Sequence, residues 1–108
     1  MMARILIVED EESLLRLLLA YLGEIERHDV AGVATADDAR DAARLGPWDM
    51  VLVDRLLPNG EDGMHLRAHF PGTRFLMMTG VPDLEAHIRK PFTLQEIGQM
   101  IRARLEGA

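Results

Sequence analysis

The stretch DMVLVD, from Asp49 to Asp54, decides the fold, because it is a short apolar run that ends in an acid. An unbroken apolar run rich in β-branched residues is typical of a strand that is buried on both faces of a parallel sheet. ARILIV, from Ala3 to Val8, has the same character and leads directly into Glu9 and Asp10. Two buried strands that each deliver acids at their carboxyl ends predict an α/β protein with a site at one edge of its sheet.

Strand and helix patterns alternate along the whole chain. The predicted strands are Ala3 to Val8, His28 to Thr35, Asp49 to Asp54, Thr73 to Gly80 and Ala86 to Lys90. The predicted helices are Ser13 to Gly23, Ala36 to Gly46, Met64 to Phe70 and a last helix that Thr93 caps, with Glu96 three residues later, running to about Arg104. This alternation predicts a doubly wound parallel sheet with helices on both faces.

Length and charge narrow the class of protein. A chain of 108 residues predicts one domain, 1–108. A formal net charge of −6 argues against direct binding to nucleic acid, which requires clustered Lys and Arg. The chain has no cysteine, so disulfides and thiolate metal sites are excluded. The lack of cysteine also suits a reducing compartment, so we expect a cytoplasmic protein. The longest apolar runs are far below the roughly 20 residues that span a bilayer, so we expect no membrane contact.

Charged and hydroxyl side chains end four of the predicted strands. Glu9 and Asp10 end the first, Asp54 the third, Thr79 the fourth and Lys90 the fifth. The carboxyl ends of parallel strands share one edge of the sheet, so we expect these five residues to meet. Crowded carboxylates repel one another unless cations offset them, and Mg²⁺ (or Mn²⁺) together with the Lys90 ammonium would do so. Such a set suits phosphoryl transfer, which needs positioning, cations and hydrogen-bond donors.

Four stretches, ILIVEDE, MVLVD, LMMTG and RKPF, resemble the signature stretches of bacterial two-component response-regulator receiver domains. The resemblance covers the whole chain and implies a flavodoxin-like five-stranded sheet of order 2-1-3-4-5. It matches Asp54 to the aspartate that accepts the phosphoryl group, and Glu9 and Asp10 to the metal-binding acids. It also matches Thr79 and Lys90 to the hydroxyl and the lysine that assist the transfer.

The resemblance has further implications for the site and its partners. It implies that Leu56 offers the metal its backbone carbonyl and that the peptide bond between Lys90 and Pro91 is cis. It also implies that a histidine kinase or histidine phosphotransfer protein supplies the phosphoryl group, and that a downstream protein reads the result. The expected function is Mg²⁺-dependent phosphoacceptance in signalling, without turnover of a separate substrate.

The chain departs from this family in three places, one of which is an extra residue in the loop from Pro58 to Gly63. Ten residues separate Thr79 from Lys90, where the family inserts a complete crossover helix, so we expect that fourth helix to be reduced or absent. We predict an extended connection or a single turn at Pro82 to Ala86, with the neighbouring sheet face poorly covered. His87 stands where the family has an aromatic switch residue, so a switch through Thr79 and His87 is an open hypothesis beside a surface histidine on an edge strand.

Three other interpretations stay open at this point. The chain could be a phosphorylation-independent interaction module, or a receiver fragment of a larger regulator. A magnesium-dependent hydrolase with an aspartyl nucleophile is disfavoured, because one such family needs an acid at the position of Leu56. His65 and His69 have a zinc-compatible spacing without a third ligand, so zinc is disfavoured too.

Overall fold

The computed structural model describes residues 2–82 and 84–107, and its sheet has five parallel strands. The strands are β1 (Arg4–Val8), β2 (Asp29–Val33), β3 (Met50–Asp54), β4 (Arg74–Thr79) and β5 (Ile88–Arg89). Their order across the sheet is β2-β1-β3-β4-β5, which confirms the predicted fold class.

Helices cover both faces of the sheet. Successive residues of a strand point to opposite faces, so Ile5 and Ile7 of β1 join one core and Leu6 and Val8 join the other. The helices are α1 (Glu12–Ala20), its π-helical continuation (Tyr21–Ile25), α2 (Ala36–Ala43), two 3₁₀ helices (Pro58–Gly60 and Gly63–His69) and α3 (Leu94–Gly107). The first core also contains residues of α1 and α3, whereas the second contains residues of α2 and of the longer 3₁₀ helix.

The end predicted for the first helix was wrong, because Gly23 does not stop it. The helix continues through Gly23 as a π turn to Ile25. A Cβ atom at Gly23 would lie 3.2 Å from a methyl group of Val30 on β2. The glycine therefore serves close packing between helix and sheet, so tertiary contact overrides its tendency to end a helix.

The predicted bounds around α2 also need correction. Thr35 is not part of β2, since its hydroxyl oxygen accepts a hydrogen bond from the Asp38 N–H and caps α2. The helix ends at Ala43 rather than Gly46, and the indole N–H of Trp48 donates to the carbonyl of Ala42 at 2.9 Å. Trp48 thus adds a second donor to a carbonyl that also accepts from the Leu45 N–H at 3.0 Å, while its ring packs into the core at the start of β3.

The crossover helix between β4 and β5 is absent from the described residues of the β4–β5 connection (80–82 and 84–87). A single turn, in which the Leu84 N–H donates to the Val81 carbonyl at 3.2 Å, takes its place, as predicted. The prediction that the adjoining sheet face is poorly covered was wrong. Phe75 and Met77 of β4 are only 4 % and 8 % exposed, because Ala86 of the connection and the 3₁₀ helix pack against this face.

The fifth strand is shorter than predicted, with two residues, Ile88 and Arg89. Before it, the His87 N–H donates to the Met77 carbonyl at 3.0 Å, and the His87 Nδ1 atom accepts from the Met77 N–H at 2.9 Å. An imidazole therefore occupies the ladder position that a backbone carbonyl would otherwise take.

The last helix begins as predicted. Thr93 accepts from the Glu96 N–H, Glu96 accepts from the Thr93 N–H, both at 3.1 Å, and the helix extends beyond Arg104 to Gly107. The remaining predicted strand and helix bounds lie within two residues of those observed. In the described part of the chain, no helix combines the length and apolar character needed to cross a membrane.

Candidate functional site

Three acids meet at the carboxyl edge of the two central strands. β1 and β3 are neighbours in register, with Val8 beside Val53, so the residues that follow them leave the sheet together. Carboxylate oxygens of Glu9, Asp10 and Asp54 lie within 4.8 Å of one another. Glu9 and Asp54 are buried and Asp10 is exposed, so the cluster opens to solvent on one side.

Lys90 joins this cluster from the carboxyl end of β5, the edge strand of the sheet. Its Nζ atom donates to Glu9 Oε1 at 2.8 Å and to Asp54 Oδ2 at 3.0 Å. The Lys90 N–H donates to the Thr79 carbonyl at 2.8 Å, and the peptide bond between Lys90 and Pro91 is cis. The lysine is thus positioned by β4 and by the turn that follows β5.

The charges at this edge do not balance. Burial raises the pKa of Glu9, and the nearby Asp54 carboxylate raises it further, against the opposing effect of Lys90. Burial opposes the charge of Lys90 as well, but its hydrogen bonds to Glu9 and Asp54 raise the pKa of the ammonium. One ammonium faces three carboxylates, so a divalent cation would complete the site electrostatically.

Thr79 lies at the end of β4 and is fully buried. It follows Met78, which pairs with Asp54 across the sheet. Its hydroxyl oxygen accepts a hydrogen bond from the Val81 N–H at 3.1 Å, which fixes the oxygen beside the start of the β4–β5 connection.

The loop after Asp54 folds back over the end of β3. The Leu56 N–H donates to Asp54 Oδ1 at 3.3 Å, and Leu56 forms an isolated bridge with Asp62. A Cβ atom at Gly63 would lie 2.1 Å from the Asp54 carbonyl oxygen, so only glycine allows this close approach. The loop therefore presents a backbone donor to the Asp54 carboxylate.

Sequence reasoning missed Arg55, which is buried directly after Asp54. Its guanidinium binds the Asp62 carboxylate through two nitrogens, at 3.0 and 2.5 Å, and donates to the Glu85 carbonyl at 2.9 Å. The hydrogen bonds from Arg55 lower the pKa of Asp62. The one signal in the sequence is an arginine directly after a buried strand, which does not reveal partners 7 and 30 residues away.

The predicted histidine positions differ in their surroundings. His87 is partly buried, its ring accepts from the Met77 N–H, and burial lowers its pKa. His65 and His69 are exposed on the 3₁₀ helix. Among residues 2–82 and 84–107, only Glu9, Asp10 and Asp54 form a group of three or more potential metal ligands.

No protein-family model matches the chain. Curated relatives are similar over nearly its whole length: the uncharacterized transcriptional regulatory protein YkoG of Bacillus subtilis is 34 % identical over 116 positions, covering 94 % of this chain and 50 % of the relative. The transcriptional regulatory protein TcrA of Mycobacterium tuberculosis is 37 % identical, covering 93 % of this chain and 45 % of the relative. The chain therefore spans about half the length of the curated relatives it matches.

Two solved structures of receiver domains resemble this chain over nearly their full length. A CheY-like response regulator receiver domain protein from Methanospirillum hungatei superposes with a TM-score of 0.87 at 28 % identity, covering 99 % of this chain and 96 % of that one. The receiver domain of HemR from Leptospira biflexa gives a TM-score of 0.82 at 26 % identity, covering 96 % and 94 % of the two chains.

A five-stranded sheet of order 2-1-3-4-5 with acids, a threonine and a lysine at its carboxyl edge defines the class of phosphorylation-dependent signalling modules on this fold. The chain belongs to the family of response-regulator receiver domains. The described residues of its β4–β5 connection form no crossover helix, which distinguishes it from the complete fold that the family resemblance implies.

Proposed function

We propose that residues 1–108 form a single receiver unit that accepts a phosphoryl group on Asp54 and passes on this state through protein contacts. The observation that carries the proposal is the position of the Asp54 carboxylate, which lies against Glu9 and Asp10 while it accepts from Lys90 Nζ at 3.0 Å. A nucleophile, a cation and a set of hard oxygen ligands thus share one partly open site.

The acid cluster fits a divalent cation. Mg²⁺ and Mn²⁺ prefer oxygen ligands, and the carboxylates of Glu9, Asp10 and Asp54 are close enough to share one ion. The Leu56 carbonyl is a further candidate ligand from the loop. When bound, the ion would neutralise the charge of the acids and of the incoming phosphoryl oxygens.

The chain's own residues have distinct roles in the transfer. An Asp54 carboxylate oxygen attacks phosphorus and forms the new P–O bond, while the bond from phosphorus to the donor breaks and the leaving group keeps the electron pair. Lys90 Nζ and the Leu56 N–H, which now donate to the carboxylate, are placed to donate to phosphoryl oxygens as charge moves onto them. The Thr79 hydroxyl is a third donor from the end of β4.

The donor would be a phosphohistidine of a histidine kinase or of a phosphotransfer protein. In that reaction the P–N bond breaks and the imidazole nitrogen keeps the electron pair, so the product is an acyl phosphate on Asp54. Such a partner and a cytoplasmic location accord with relatives that are transcriptional regulatory proteins. Output through a downstream protein follows from the same proposal, and autodephosphorylation would be the only turnover.

Labelling with a small acyl phosphate tests the proposal. We expect incubation with acetyl phosphate and Mg²⁺ to raise the intact mass by one phosphoryl unit, and Asp54→Ala to abolish the increase. Asp49→Asn is the matched control, because Asp49 stands before the opposite end of the same strand and an asparagine oxygen can still accept from the Arg4 N–H.

Three outcomes would contradict the proposal. An unchanged mass of the wild-type chain would favour a phosphorylation-independent interaction module. A mass increase that persists in Asp54→Ala would place the phosphoryl group on another residue. Turnover of a chromogenic phosphate ester would instead indicate a hydrolase, which the apolar Leu56 at the position of the required acid disfavours.

A further inference from the structure

We propose that Arg55 is a positioning residue that couples the phosphoacceptor to the β4–β5 connection, so that the phosphorylation state of Asp54 changes the conformation of residues 84–87. This inference rests on the proposed function of Asp54. The proposal assigns to the Arg55 side chain the link between the phosphorylation site and the β4–β5 connection, which stands where the family has a crossover helix.

The backbone of Arg55 is held between the sheet and the loop. Its N–H donates to the Met78 carbonyl at 2.8 Å, and its carbonyl accepts from the Gly63 N–H at 2.7 Å. Arg55 lies between Asp54, the phosphoacceptor, and Leu56, whose N–H donates to the Asp54 carboxylate. A change in the hydrogen bonding of that carboxylate therefore acts first on the peptide units next to Arg55.

The side chain of Arg55 carries this change to a distant segment. Only 9 % of it is exposed, and its guanidinium joins Asp62 of the loop to the backbone of Glu85 in the connection. A guanidinium is planar and its donors have fixed directions, so a shift of the Asp62 carboxylate must reorient the bond to Glu85. A lysine at this position would keep the charge without the rigid two-sided geometry.

The connection is short and depends on such anchors. The Val81 N–H binds the Thr79 hydroxyl, Arg89 donates to the Val81 carbonyl at 3.0 Å, and Arg55 binds the Glu85 carbonyl. Two of these three anchors come from residues at or beside the phosphorylation site. Apart from the Leu84–Val81 turn and the two His87 bonds to Met77, the described residues of the segment take their conformation from these side chains.

Phosphorylation would disturb the Arg55 anchor by a defined route. Formation of the acyl phosphate on one Asp54 oxygen moves negative charge from the carboxylate to the phosphoryl oxygens, which lie farther from the strand end. The Leu56 N–H then has a stronger acceptor at a new position. The loop that contains Leu56 and Asp62 moves with it, and the guanidinium follows Asp62.

Amide hydrogen exchange of the connection, with and without acetyl phosphate and Mg²⁺, tests the coupling in the full chain. In the wild type we expect exchange in residues 84–87 to change about tenfold on phosphorylation, the size expected for one charge-assisted hydrogen bond. In Arg55→Gln and in the charge-preserving Arg55→Lys, we expect intact mass to report phosphorylation while the exchange change shrinks or disappears.

Arg40→Gln is the matched control. Arg40 also binds an acid of the same loop, Glu61, through two nitrogens, but it approaches from α2 and its hydrogen bonds go to Glu61 and Asp37 rather than to the connection. This variant should keep the full phosphorylation-dependent change. A merely structural role of Arg55 would alter exchange equally in both states, so the difference between the states is the readout.

The possible failures are distinguishable. If the wild-type mass does not increase, the proposed function fails and the coupling fails with it. If the wild type is phosphorylated but residues 84–87 exchange equally in both states, or Arg55→Lys responds as fully as the wild type, the coupling is overturned while phosphoacceptance stands. If Arg55→Gln does not fold, the comparison of Arg55→Lys with Arg40→Gln decides.

Discussion

At the scale of single residues, burial changes the pKa of charged side chains at the site. Glu9 is fully buried beside Asp54, and burial raises its pKa even though Lys90 donates to it. A buried carboxylate that is incompletely neutralised is a cost to the folded state. The identity of these residues was predictable from sequence, whereas the unequal burial of Glu9 and Asp10 was not, because adjacent residues after a strand turn in different directions.

Replacing Glu9 should weaken the response of the protein to Mg²⁺. At about ten times its Kd, an ion stabilises by about 1.4 kcal/mol, which corresponds to about 6 °C in Tm for a domain of this size. We expect Glu9→Gln to reduce this shift by more than half, since one of three ligand carboxylates is lost, when Tm is compared in Mg²⁺ and in EDTA. Glu24→Gln, an exposed site on the π turn, should keep the full shift, and an unchanged shift in Glu9→Gln would remove Glu9 from the metal site.

Gly63 is a second residue whose importance the structure reveals. A methyl group at this position would lie 2.1 Å from the Asp54 carbonyl oxygen and 2.7 Å from a methyl group of Val53. We predict that Gly63→Ala lowers the free energy of unfolding by about 1–3 kcal/mol, measured by urea denaturation, because the loop must move off β3. Gly107→Ala, where a Cβ atom meets nothing within 4 Å, is the control, and equal stability of the two variants would disprove the close contact.

At the scale of elements, β5 depends on a side chain as much as on its backbone. His87 Nδ1 accepts the Met77 N–H, so the ring must be unprotonated at that nitrogen for the contact to exist. The sequence indicated a polar residue in place of an aromatic one. Its engagement with the β4 backbone was not predictable, because it depends on how the shortened connection returns to the sheet.

This contact predicts a pH dependence of stability. Burial lowers the pKa of His87 below its ordinary value of 6.5, with Arg104 and Arg67 adding to the effect. The stabilisation is therefore complete above about pH 6.5 and is lost as the pH falls from there towards the folded-state pKa, since the unfolded chain then binds the extra proton. We expect the free energy of unfolding to decrease between pH 7 and pH 5.

A comparison of variants assigns the pH dependence to its source. In His87→Asn an amide oxygen can accept the Met77 N–H without titrating, so the decrease should become smaller than in the wild type. His28 has a pKa lowered by burial as well, and its Nδ1 atom accepts the Ala3 N–H, so His28→Asn should remove a separate part of the decrease. A pH profile identical in the wild type and in His87→Asn would show that the His87 contact does not titrate with folding.

At the scale of the whole molecule, the main departure from the family is that residues 80–82 and 84–87, the described part of the β4–β5 connection, form no crossover helix. The alignment with YkoG spans 116 positions, more than the 108 residues of this chain, so the relative contains residues without a counterpart here. The face of the sheet beside β4 nevertheless stays covered, because the connection and the longer 3₁₀ helix pack against β4. The loss therefore changes the surface beside the site rather than the order of the strands.

Net charge gives a prediction for the molecule as a whole. With a formal charge of −6 and no clustered cations in the sequence, we expect the 108-residue chain not to bind duplex DNA at about 0.05 M salt, measured by fluorescence anisotropy. The curated relatives are about twice as long as the aligned region, so their regulatory action on transcription is not attributed to this part. Binding that weakens steeply with added salt would contradict the prediction.

The sequence by itself determined the sheet, its two-sided core and the set of residues at its carboxyl edge. Unbroken apolar strands must be buried on both faces, and parallel strands bring the residues that follow them to one edge. Burial of a strand depends on its own residues, and the common edge depends only on the parallel order of the strands. The positions of Glu9, Asp54, Thr79 and Lys90 at this edge therefore followed from the hydrophobic pattern of the sequence alone.

Only the tertiary structure decided the partners of Arg55, the close approach of Gly63 and the length of β5. Each depends on a contact between segments far apart in sequence, such as the 30 residues between Arg55 and Glu85. Hydrophobic pattern and secondary-structure propensity describe the conformation that a segment favours alone. These contacts depend instead on which polar groups still lack a hydrogen-bond partner, and on how much space is left, once the segments have packed together.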